Sequence, residues 1–327
     1  MATIYDVARM AGVSTYTVSA VVNRSAKVSP ELTERVNQAV VALQYTANEV
    51  ARSLPLRRTR TVGMLIPDIA NPFYAKVVRG VGELLRENDY TLQLASTYNS
   101  PEQQAAHLRV FRAKQADGLI VFFSGGDEAV LRGMVKSGKA LVFAGRTPAT
   151  FEADCVVAEN RLGARLATAH LIEKGHRRIA NLSGQMMFTA NIHRDEGWRA
   201  ALMEQGIEPR EAYLGVGDWT AESAERLMKG MLALPEPPTA VLTANFLMMT
   251  GALRASRAAG LRCPEDLEIV SWDDSDWLDV FSPPITTVVT SSYAMGRHAA
   301  TLLLERLADA SLPPRQVILQ PELRIRS

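Results

Sequence analysis

The chain has 327 residues, 47% of them apolar, with 36 Lys+Arg against 35 Asp+Glu and only two cysteines. That length suits two or three domains, and the apolar share excludes a disordered chain. Cys155 and Cys263 alone make neither a disulfide framework nor a zinc site, no apolar run nears the ~20 residues of a membrane span, and Met1–Asp6 lacks the features of a secretory leader, so a cytoplasmic chain with no membrane partner is expected.

Charge is unevenly placed. Residues 1–60 hold eight basic side chains and four acidic ones, a net +4, while the remainder carries −3. A phosphate-binding headpiece on a slightly acidic body would show this.

Thr3 and Asp6 have the spacing of a capping box, and Val7, Ala8 and Ala11 then share one helical face. Gly12 stops that helix. Ser14 caps a second one, with Val18, Val21 and Val22 on its inner side, and Ser29-Pro30 opens a third, striped by Leu32, Val36, Val40 and Leu43. Helix, short glycine turn, helix is the spacing of a helix-turn-helix. Thr15, Tyr16, Thr17, Ser19 and Ala20 fall at the start and on the outward side of the second helix, where a recognition helix meets base edges. A solvated polar face would read the same way. Asn48 can cap a helical turn or two ending before Pro55, a helix too short to persist alone in water. Its Leu54 suits either a wedge between base steps or a place under the next domain.

After residue 60, strands and helices alternate. Strands fall at Val62–Ile66, Leu92–Ala95, Leu119–Phe123 and Leu141–Ala144, with helices at 72–89, 101–115 and near 127–138. A second set has strands at Ile179–Ser183, Ala240–Thr243 and Leu267–Ser271, with helices at 160–174, 194–206, near 220–233 and 247–260. The pattern predicts two α/β lobes with doubly wound parallel sheets. Ligands of such sheets bind beyond the carboxyl ends of the strands. The candidates there are Asp68, Asn71, Phe73, Tyr74, Arg146, Asn160, Arg194, Asp218, Trp219, Asn245 and Asp273. Amides, carboxylates, guanidinium forks and aromatic faces together suit a polyhydroxylated ligand. Each could equally be a strand-end cap or a lobe–lobe contact.

Thr3–Asn23 (TIYDVARMAGVSTYTVSAVVN), Val28-Ser29-Pro30 and Asn48–Leu54 (NEVARSL) closely resemble the headpiece of the LacI/GalR repressor family. The likeness continues through Thr59–Val81, His170–Ile179, Cys263–Asp274 and Pro283–Val288, and so spans the whole chain. It implies an all-α helix-turn-helix headpiece over 1–46, a hinge helix and linker over 47–59, and a periplasmic-binding-protein-like core over 60–327. The N-lobe is expected over about 60–159 and 290–317, and the C-lobe over about 160–289 and 318–327. The implied function is that of a transcriptional regulator, a repressor by type, binding a pseudo-palindromic operator as a homodimer. A small sugar, sugar acid or sugar phosphate in the inter-lobe cleft would control it.

The DNA-binding residues so implied are Thr3, Ser14, Thr15, Tyr16, Thr17, Ser19, Ala20, Asn23, Ser29, Asn48, Ala51, Arg52 and Leu54. Ala20 departs from the family, which usually has an arginine there, and its methyl could touch a thymine methyl instead. Phe246 joins the cleft set where the family usually carries an acid, and Gly145 stands where it often carries another. With Arg146 and Arg194 kept, the cleft is less negative than that of a neutral-sugar repressor, which points to an anionic effector. No GxSxG, GxxxxGK[ST] or post-strand GxGxxG is present and the five histidines are scattered, so no catalytic residue, metal or cofactor is expected.

Overall fold

The computed structural model describes residues 2–23, 26–45, 59–126, 128–148 and 151–326. The chain divides into two compact units between Thr59 and Arg60. Among the described residues no helix is long and apolar enough to cross a membrane.

The first unit is a three-helix cluster, α1 (Ile4–Ala11), α2 (Thr15–Asn23) and α3 (Pro30–Ala42). The capping box is present. The Thr3 N–H donates to Asp6 Oδ2 at 2.9 Å, and the Asp6 N–H donates to Thr3 Oγ1 at 3.4 Å. Gly12 ends α1 at φ +64°, and Arg35 of α3 donates to the freed Ala11 carbonyl at 2.6 Å. Val7, Val18 and Val36 are fully buried among Ala8, Ala11 and Ala39. Each buried valine contributes about 1.5–3 kcal/mol, little enough that every cap counts.

The second unit has two six-stranded sheets. The first runs β11-β5-β4-β3-β1-β2 and the second β12-β10-β9-β8-β6-β7, where β1 is Thr61–Ile66, β2 Thr91–Ser96, β3 Gly118–Val121, β4 Ala140–Ala144, β5 Asp154–Ala158, β6 Ile179–Ser183, β7 Leu214–Val216, β8 Ala240–Thr243, β9 Glu268–Trp272, β10 Thr286–Val289, β11 Gln316–Leu319 and β12 Glu322–Arg324. Every pairing is parallel except β10 with β12. The central strands are buried on both faces, as unbroken apolar runs require. In β1, Val62, Met64 and Ile66 pack with Val77 and Val81 of the helix Pro72–Glu87 and Leu303 of the helix Ser292–Ala308. Leu65 faces Leu108, Phe111 and Leu131 on the other side.

The chain passes between sheets three times, after β5, after β10 and between β11 and β12. The last passage lies at 320–321 rather than at 317, because Val317 pairs with Val156 inside β11. Several elements differ from the sequence reading. The helix expected over 194–206 is Thr189–Glu204, so Arg194 sits in its second turn and not at its start. Its first residues carry no apolar stripe, yet Ala190 and Asn191 are buried by tertiary packing. The strand at 267–271 is shifted by one, since the Leu267 N–H is spent on the Arg262 carbonyl in the preceding turn. The short strands β5, β7, β10, β11 and β12 and the helix Ser292–Ala308 are additions.

Candidate functional site

In the first unit the predicted DNA-reading residues divide by what already holds them. Thr3, Ser14 and Ser29 are helix caps: Ser14 Oγ accepts from the Thr17 N–H at 3.1 Å, and Ser29 Oγ from the Leu32 N–H at 3.4 Å. Thr17 Oγ1 also lies 2.9 Å from Ser14 Oγ. Thr15, Thr17 and Ser19 are half-buried, and Tyr16 is 74% exposed. Ala20 is not on the outward face as expected. It is only 2% exposed, so its methyl is withheld from a thymine. A one-carbon side chain stays in the lee of its longer neighbours a turn away. The side chain of Asn23 and all of Asn48, Ala51, Arg52 and Leu54 lie outside the described residues. Tyr5, 70% exposed beside the α1 cap, is an aromatic that the sequence reading did not single out.

In the second unit the strand-end residues converge. All of the predicted cleft residues except Asp68, Asp218 and Phe246 line one cavity. Asn71, Phe73, Tyr74 and Arg146 come to it from the first lobe, and Arg194, Trp219, Asn245 and Asp273 from the second. Asn160, at the passage after β5, lines it as well. Asp68 is instead turned to its own loop, accepting from the Ala70 N–H at 2.9 Å. Asp218 likewise caps a turn, accepting from Thr220 Oγ1 at 2.6 Å. Phe246 is buried off the cavity, its ring edge-on to Trp277 at 5.2 Å.

The two arginines are held by amides, carbonyls and rings, not by carboxylates. Arg146 Nη1 donates to Asn99 Oδ1 at 2.8 Å. Its guanidinium lies 3.9 Å over the Trp219 ring and 5.1 Å from Phe188. Arg194 Nε donates to Asn160 Oδ1 at 2.8 Å and its Nη1 to the Ala244 carbonyl at 2.6 Å, above Trp272 at 3.7 Å. Gly184 makes room for Trp219, since a Cβ there would collide with the indole. Trp219 and Asp273 both sit at positive φ, +68° and +70°, which for such residues stores backbone strain. The space left is about 60 Å³. That is far below the ~300–1,000 Å³ of small-molecule pockets.

Burial dominates the electrostatics. It pushes the Asp273 carboxyl up to about 6, against the pull of Arg194 and a hydrogen bond from Asn71. It pushes the Tyr74 phenol up to about 12 and brings Arg194 down to about 10. Arg146 is lowered for the same reason. The cavity therefore sets two cations, a buried Arg146 and a half-buried Arg194, against Asp273, the one carboxylate among its described lining residues.

Phe122, Ala158, Ala190, Asn191, Ala244, Thr290 and Met295 also line it and were missed, as does Gly145, which the sequence marks only as a departure from the family. Phe122, Ala158 and Thr290 end strands or directly follow them, so the strand-end rule could have found them. Ala190 and Asn191 were hidden by the late helix start, and Met295 by an unassigned helix. Among the described residues no group of three or more His, Cys, Asp or Glu could hold a metal ion.

A family model of bacterial regulatory proteins, lacI family, matches residues 3–48, and one of the periplasmic binding protein-like domain matches residues 168–327. The HTH-type transcriptional repressor PurR of Vibrio atlanticus is 36% identical, the alignment covering 100% of this chain and 98% of that one. The PurR of Photobacterium profundum is also 36% identical, with the same coverage. Among solved structures, a transcriptional regulator CelR–cellobiose complex is 34% identical with a TM-score of 0.75, covering 100% of this chain and 99% of that one. A lac repressor dimer bound to operator and the anti-inducer ONPF is 27% identical with a TM-score of 0.85, covering 98% and 97%.

Proposed function

The chain belongs to the lacI family of bacterial regulatory proteins, and from that premise we propose that this DNA-binding transcriptional regulator is a repressor whose operator affinity is set by a small anionic effector held between the lobes of its core. The observation that carries the effector's charge is the pair Arg146 and Arg194. Both line one cavity, both donate to amides or carbonyls, and among the described residues lining it the only carboxylate is Asp273. A buried cation without a counter-charge is costly, and an anion that enters is rewarded accordingly. A sugar acid or sugar phosphate fits this set, with amides such as Asn71 and Asn191 for its hydroxyls and aromatic faces for its ring. The effector site is thus Asn71, Phe73, Tyr74, Arg146, Asn160, Arg194, Trp219, Asn245 and Asp273.

Thr15, Tyr16 and Thr17 are the base-reading set, with Thr3, Ser14, Ser19, Asn23 and Ser29 beside them, and Asn48, Ala51, Arg52 and Leu54 as hinge contacts. A homodimer would place two headpieces on two half-sites of an operator. The protein works in the cytoplasm and catalyses no reaction, in keeping with relatives named as transcriptional repressors. The test is a DNA-binding titration at fixed salt against palindromes near its own gene, with neutral sugars, sugar acids and sugar phosphates as additions. Specific binding that an anionic compound shifts is expected. Sequence-blind binding overturns the regulator, and a response to neutral sugars alone overturns the anionic effector.

A further inference from the structure

Arg146 belongs to the first lobe, following β4, whereas Trp219 and Phe188 belong to the second, following β7 and β6. Its guanidinium nevertheless lies over the Trp219 ring, 3.9 Å from its centroid, and 5.1 Å from that of Phe188, so a cation from one lobe covers the aromatic wall of the other. That wall is the surface on which the apolar face of a ring-shaped ligand would pack. With Arg146 in place the cavity is about 60 Å³, room for roughly four to six waters and too small for a sugar ring. A ligand that packs on this wall must displace the guanidinium.

We propose that Arg146 is a tethered occupant of the effector site, lying on Trp219 in the free protein and drawn off it by the effector's anionic group, so that it selects charged effectors over neutral ones. The inference rests on the anionic-effector reading above and adds the residue that enforces it. The exchange favours an anion because a charge-assisted, two-pronged hydrogen bond to carboxylate or phosphate is stronger than the stacking it replaces. A neutral sugar loses the same stacking and gives the buried cation nothing in return. Arg194 is held the more firmly, its Nε and Nη1 both bonded, to Asn160 and the Ala244 carbonyl, whereas Arg146 is bonded through Nη1 to Asn99 of its own lobe, a pivot about which the guanidinium can swing off Trp219. Arg194 stays put as the second pole for the anion. Like charge on Arg146 also bears on Arg194 across the cavity, and an anion between them relieves it.

The test follows Trp219 emission, assigned by difference from Trp219→Phe, in the full-length wild type, Arg146→Ser and Arg146→Lys, together with calorimetric binding. The probes are D-glucose, D-gluconate and D-glucose 6-phosphate, extended to the corresponding pentose series, with inorganic phosphate as the minimal anion. In the free protein, Arg146→Ser is expected to change Trp219 emission with no probe present, and Arg146→Lys to change it less. An anionic probe should shift the wild-type emission in the same direction as the serine substitution. Its affinity should fall at least tenfold in Arg146→Ser, about 1.4 kcal/mol, while the neutral counterpart gains. Unchanged emission in the free serine variant, with its fold verified by circular dichroism, overturns the tethered occupant whatever the probes do. If an anion binds wild type and Arg146→Ser equally well, this inference falls and the anionic-effector reading stands. If only neutral probes bind the wild type, both fall together.

Discussion

Asn71 Nδ2 lies 3.4 Å from Asp273 Oδ2, and the two residues come from different lobes. Both are almost fully buried, so this contact crosses the cleft where water is excluded. Its strength depends on the charge of Asp273, which the site itself opposes. Burial lifts this carboxyl from 3.8 to about 6. A carboxyl whose folded pKa exceeds its unfolded value contributes stability that is complete below about pH 3.8 and lost as pH rises through about 6. The difference amounts to about 3 kcal/mol. Asp273→Asn stays neutral throughout. The stability gap between wild type and Asp273→Asn, measured by denaturant unfolding, should therefore move by about 3 kcal/mol in favour of the variant between roughly pH 4 and 7.5. A gap that stays flat across this window would show that the carboxyl ionises normally.

Trp219 is placed by a missing side chain. Gly184 directly follows β6, and any Cβ there meets the indole. Gly184→Ala should cost about 1–3 kcal/mol of core stability through this overpacking. It should also alter Trp219 emission and effector binding, because the ring cannot keep its stack with Arg146. Emission and calorimetry on a folded variant that match wild type would show that the ring has another place to go.

The first unit offers a test that separates recognition from folding. Tyr16 is 74% exposed and takes no part in the small core. Tyr16→Ala should leave thermal stability within about 0.5 kcal/mol. It should weaken specific operator binding by about 1–3 kcal/mol with less effect on nonspecific DNA. An equal loss on both kinds of DNA would make Tyr16 a backbone contact and not a reader of sequence.

Asp154 opens β5 with its side chain fully buried. It accepts from Arg306 Nε at 2.9 Å and from the Arg315 N–H at 2.8 Å, joining β5 to the helix Ser292–Ala308 and to the start of β11. Removing one partner of a buried pair strands the other charge, here an Arg306 side chain only 15% exposed. Asp154→Ala should cost about 3–5 kcal/mol in denaturant unfolding. A loss below 1 kcal/mol would mean that Arg306 finds water or another acceptor.

The sequence by itself determined the helix caps of the first unit and most of the strongly apolar strands. Thr3 with Asp6, Gly12, Ser14 and Ser29-Pro30 fix where the first three helices start or stop, because caps act within a turn of their own position. The apolar runs of β1, β4, β8 and β9 marked buried parallel strands, the strand-end rule then collected Asn71, Arg146, Asn245 and Asp273, and Trp219 was found by its place before a helix. Tertiary structure decided what depends on partners remote in sequence. It buried Ala20, turned Phe246 onto Trp277, and pulled the helix start back to Thr189, since none of these follows from the few residues around them. It carried the third passage between lobes past Val317, because a short edge strand takes its identity from the neighbour it pairs with. It also laid Arg146 on Trp219. The long side chain of an arginine reaches across a cleft, and which ring it meets is set by how two separately folded lobes face each other.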